Sequence, residues 1–86
     1  MMAIIRFEDQ EGRSITTTGP YESIGIAGRW LGSCGFSPSE GPANEWTHNG
    51  PFKIRFQFDS TEFSVKTIRA TVFPLRSPNT MIIQPD

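Results

Sequence analysis

The stretch that most constrains this chain runs from Phe52 to Leu75, and its first half is the clearest element in the sequence. Phe52, Ile54, Phe56 and Phe58 alternate with Lys53, Arg55 and Gln57. Strict alternation of this kind places apolar residues on one face of a β-strand and polar residues on the other. Asp59-Ser60-Thr61 carries turn chemistry, and a second β-like run follows it. The expectation is an antiparallel hairpin at the centre of a small sheet. Within the second run Phe63 and Val65 are apolar at odd positions, whereas Ile68, Ala70 and Val72 are apolar at even ones. This change of phase around Lys66-Thr67 predicts a β-bulge there or a break between two short strands. Pro74 ends the run, because proline cannot donate to a central ladder.

Upstream, Ala3–Glu8 alternates in the same manner. The polar tetrapeptide Asp9-Gln10-Glu11-Gly12 then suits a hairpin turn. Arg13–Thr18, with three consecutive threonines, reads as a second strand polar enough to lie at an edge. Gly19-Pro20 marks a change of period, since proline is favoured at the first position of a helix. Tyr21, Ile24, Ala27 and Leu31 follow at helical spacing, so a helix is expected from Pro20 to Ser33. Gly25, Gly28 and Gly32 cost it roughly 2–3 kcal/mol relative to alanine. Together with Gly35, the expected left-handed terminator, they fall on one face. That smooth stripe predicts close packing of helix on sheet, or else a groove for a partner's backbone. Residues 36–51, with three prolines and two glycines, read as a long loop with Trp46 near its middle, where it either folds back over the edge of the core or stands exposed as an anchor. Residues 77–86 form a tail in which Thr80–Gln84 has the makings of a short strand, or of an arm that pairs with a second copy.

Eighty-six residues support a single domain, 1–86. The expected fold class is α+β: a small, mostly antiparallel sheet in the order ββαββ, with a Gly-rich helix on one face. A small all-β barrel is the alternative.

The chemistry of enzymes is thin in this sequence. Cys34 and His48 are the sole members of their types, and no local signature joins them into a nucleophile–base pair. One cysteine and one histidine also leave a tetrahedral metal site without ligands. Glu8, Asp9 and Glu11 cluster in a turn but lack the ladder of a calcium loop. Gly32-Ser33-Cys34-Gly35 lacks the Gly-Lys-Ser/Thr ending of a phosphate loop. The expectation is therefore a protein that is not an enzyme and takes no cofactor and no metal. A single cysteine fits a reducing compartment. The start, MMAIIRFEDQ, has no basic region before an apolar core, and no run reaches the length of a membrane span. A cytoplasmic protein without a membrane partner is expected.

Net charge is −1, but it is unevenly spread. Residues 1–51 hold Arg6, Arg13 and Arg29 against six acidic residues, whereas residues 52–76 hold five basic residues against Asp59 and Glu62. The favoured function is a small protein-binding module or inhibitor. A phage or mobile-element accessory protein acting against a host defence complex is one such role. Trp46 would be its anchor, with Glu8, Asp9, Glu11, Glu40 and Glu45 meeting a basic surface. The alternative is nucleic-acid binding through Lys53, Arg55, Lys66 and Arg69 on the wet face of the sheet. Homodimerisation through the C-terminal strand is a further expectation.

Overall fold

The computed structural model describes residues 1–56 and 59–75. Six elements follow in order: β1 (Ala3–Glu8), β2 (Ser14–Tyr21), α1 (Ile24–Ser33), β3 (Ser37–Pro38), β4 (Glu45–Phe56) and β5 (Asp59–Pro74). The strands form one antiparallel open sheet in the order β2-β1-β5-β4-β3, and α1 packs on one face of it. The fold is therefore α+β and is not a closed barrel. The expected C-terminal strand, and the dimer through it, lie outside the described residues.

β1 and β2 form the expected hairpin, and a buried carboxylate organises its turn. Asp9 Oδ1 accepts hydrogen bonds from the backbone N–H of Glu11 and of Arg13, both at 2.9 Å. Asp9 Oδ2 accepts from Arg13 Nε at 2.8 Å. Gly12, at φ +84°, supplies the left-handed residue the turn needs. β2 lies at the edge of the sheet, as its threonines suggested, but it does not stop at Thr18. It runs on to Tyr21, which pairs with Ala3.

The helix consequently starts later than proline placement predicted. Ser23 is its N-cap, with extended backbone and a side-chain oxygen that accepts from Ile26 N–H at 3.1 Å. Gly19-Pro20 is taken into β2 as an irregularity, because the pairing of Thr18 and Tyr21 with β1 on either side outweighs the preference of proline for a first helical turn. The other end matches expectation. Gly35 has φ +97°, its N–H donates to Gly32 O at 3.2 Å, and Phe36 N–H donates to Leu31 O at 3.0 Å. These two bonds are those of a Schellman termination.

The expected long loop is largely strand. Only residues 39–44 connect β3 to β4, and β4 already begins at Glu45. His48-Asn49-Gly50-Pro51, which has the composition of a turn, is carried inside β4 as an irregularity. Asn49 faces Thr67 and Phe52 faces Val65, so β4 has one residue more than β5 over this interval. The bulge predicted at Lys66-Thr67 therefore belongs to the partner strand. Asp59–Thr61 are part of β5 rather than of the turn, with Asp59 opposite Phe56.

The extra residue explains the phase change in the sequence. Ala70 and Val72 of β5 and Ala3 and Ile5 of β1 bury against Ala27 and Leu31 of α1, with Trp46 of β4 packed beside them. Past the bulge, Val65, Phe63 and Ile54 instead line a hollow beneath the β1–β2 turn. β5 keeps its alternation and so changes which parity is apolar. β4 gains a residue and so keeps even positions apolar throughout.

Candidate protein-contact surface

Trp46 sits in β4 opposite Ala70, half-buried against the helix. A Cβ on Gly28 would lie 2.9 Å from Trp46 Cζ2, and one on Gly32 would lie 3.9 Å from Trp46 Cζ3. The glycine stripe of α1 is therefore the bed for this indole. His48, one turn of the pleat further on, continues the same contact. A Cβ on Gly35 would meet His48 Nε2 at 2.8 Å, and the imidazole lies between the rings of Phe36 (5.1 Å) and Phe52 (4.8 Å). Trp46 is a wall of the core rather than an exposed loop anchor.

The acidic residues expected to meet a partner are also mostly engaged. Glu8 lies across β1–β5 from Arg69, whose Nη2 donates to Glu8 Oε1 at 2.8 Å, and Arg6 Nε approaches Glu8 Oε2 at 3.4 Å. Asp9 is 6% exposed and holds the turn. Burial pushes its carboxyl up. The hydrogen bonds from Arg13 and from Glu11 N–H, with the Arg13 charge, outweigh this and hold it below the ordinary carboxylate value. Glu11 pairs with Arg13 at 3.2 Å. Glu40 is exposed and Glu45 is half-buried in β4 opposite Thr71.

The four basic residues do not share one face. Lys53 is opposite Ser64 and Arg55 opposite Glu62. By alternation along β5, both lie on the side of Lys66. Glu62 sits among them, 3.8 Å from Lys53 Nζ and 3.4 Å from Arg55 Nη2. Arg69 projects from the other side and is bound to Glu8, which raises its pKa further.

The hollow between the β1–β2 turn and the far half of β4–β5 measures about 240 Å³. Ile15, Ile54, Phe63 and Val65 are its apolar lining, and Asp9, Arg13, Ser14 and Ser64 its polar lining. Among the described residues no group of three or more His, Cys, Asp or Glu side chains comes together as a metal site, and Cys34 is exposed. The N–H groups of Cys34, Gly35 and Phe36 are used in closing the helix, so they do not form an anion cradle. Among the described residues no helix is long and apolar enough to cross a membrane.

What sequence reasoning missed is the outer face of α1. Trp30 is 44% exposed and Ile26, one turn earlier, is 39% exposed. The Tyr21 ring lies 5.9 Å from that of Trp30, and the Tyr21 hydroxyl is 2.9 Å from Thr18 Oγ1. Trp30 is thus presented on a rigid element and braced by a hydrogen-bonded tyrosine. The signal was available in the spacing. With Ile24, Ala27 and Leu31 inward, Ile26 and Trp30 fall together on the opposite face. No family model, no curated protein and no solved structure matches this chain.

Proposed function

We propose that the chain is a small protein-binding module that works by surface contact, with the outer face of α1 as its contact surface. The observation that carries this is Trp30, a large side chain left 44% exposed in the middle of a helix whose other tryptophan neighbour, Trp46, is packed inward. Tryptophan and tyrosine dominate binding hot spots because they bury much area at little conformational cost. Tyr21 restrains Trp30 further, so less freedom remains to be lost on binding. A module of this size fits the role of an inhibitor or accessory factor that occupies a surface of a larger complex, without chemistry of its own. The anchor in this reading is Trp30 rather than Trp46.

The test is photo-crosslinking in the native host, with a photoreactive amino acid placed at Ile26 in one variant and at Lys66 in another. A discrete protein adduct from position 26 that disappears in a Trp30→Ala background is the expected result. Adducts to nucleic acid from position 66, with none from position 26, would move the function to the basic face.

A further inference from the structure

The charge pattern around Trp30 goes further and names the chemistry of the partner. Five of the described basic residues lie within 4 Å of a carboxylate: Arg6 and Arg69 on Glu8, Arg13 on Asp9, and Lys53 and Arg55 on Glu62. Among the described residues Arg29 and Lys66 have no such pair, and of the two only Arg29 lies on the helix beside Trp30. It is exposed, adjoins Trp30 and lies three residues from Ile26, and the helix Ile24–Ser33 carries no acidic residue of its own. We infer that the outer face of α1 is built for a protein segment that sets a carboxylate beside aliphatic or aromatic side chains. The apolar side chains cover Ile26 and Trp30, and the carboxylate takes the Arg29 guanidinium.

Physical chemistry favours this occupant over the alternatives. A guanidinium presents a planar fork of donors that matches a carboxylate in two parallel bonds. A basic segment would bring like charge onto Arg29 as it covered Trp30. A second copy docked by the same face about a twofold axis would bring the two Arg29 side chains toward each other. Exclusion of water by the apolar contacts would strengthen the ion pair at their rim.

This inference rests on the helix-face reading, and one experiment separates the two. A phage-displayed library of random peptides is panned on the immobilised wild-type protein. The recovered peptides are then measured against Trp30→Ala, Arg29→Glu and Arg29→Lys, each first shown to unfold at the wild-type denaturant midpoint. The expected peptides carry Asp or Glu within a few positions of Leu, Phe or Trp. Their affinity falls ten-fold or more on Trp30→Ala and on Arg29→Glu, and partly returns in Arg29→Lys. Peptides that need Trp30 but lack acidic residues, or that bind Arg29→Glu unchanged, overturn the carboxylate inference and leave the helix face standing. Recovery of no peptide that depends on Trp30 overturns both. Sedimentation showing a dimer that Trp30→Ala dissociates would assign the face to a second copy and also overturn the inference.

Discussion

At the scale of single residues, Gly28 and Trp46 determine each other. Any side chain at 28 would enter the indole's space, since its Cβ would sit 2.9 Å from Cζ2. Gly28→Ala should therefore lower stability by about 1 kcal/mol or more, the cost of overpacking exceeding the gain in helix propensity. Gly25, in the first turn of the same stripe, meets nothing closer than Ser23 Oγ at 3.8 Å. Gly25→Ala should be neutral or stabilising by up to roughly 1 kcal/mol. Urea unfolding of the two variants checks the contrast, and a Trp46→Phe background should shrink the Gly28→Ala loss. The stripe itself was legible in the sequence, because glycines at 25, 28, 32 and 35 recur at helical spacing. Its occupant was not. Nothing local to Trp46 says that strand pairing with Ala70 will carry it beneath the helix.

At the scale of elements, the β1–β2 hairpin depends on one carboxylate. Asp9 accepts from two backbone N–H groups and a guanidinium, so Asp9→Ala should lower the melting temperature distinctly, and Asp9→Asn less, since its amide oxygen still accepts from the backbone. The pH dependence has a definite sign. The folded carboxyl titrates below its unfolded value, so its stabilisation is complete above the ordinary carboxylate pKa and is lost as pH falls through the folded value. Asp9→Asn should flatten the stability profile in that acid window, as thermal melts across it would measure. Elements with local chemistry were readable: β1 has the bounds its alternation implied, and the helix ends at Gly35. Those set by distant pairing were not. Residues 45–51 have the composition of a loop, yet β5 offers them a ladder, and the extra residue between Asn49 and Phe52 absorbs Gly50-Pro51 without ending the strand. The helix start was misplaced for the same reason: strand pairing carries the chain past Pro20, and Ser23 caps the helix.

At the scale of the whole molecule, the sheet separates two charge patterns that look continuous in the sequence. Arg69 is committed to Glu8 on one side, and Lys53, Arg55 and Lys66 share the other side with Glu62. Low-salt gel shifts with single-stranded and duplex nucleic acid should therefore show weak binding at most, unchanged by Arg69→Met; a tight complex abolished by Lys53→Glu and Lys66→Glu would favour the basic face. The edge strand β2 has a register shift at Gly19-Pro20, and β4, which the two-residue β3 covers only at Trp46 and Thr47, has one at Gly50-Pro51. Proline and bulges there discourage strand addition, which leaves the helix face as the more open route to a partner.

The central claim is a division of labour between the two tryptophans: Trp46 holds helix to sheet, and Trp30 is left for a partner. Equilibrium urea unfolding of Trp46→Ala and Trp30→Ala beside the wild type tests it most directly. Trp46→Ala should lose about 2–4 kcal/mol, a large part of the stability of so small a domain, while Trp30→Ala should lose less than about 1 kcal/mol. Equal losses, or a larger loss at Trp30, would contradict the account.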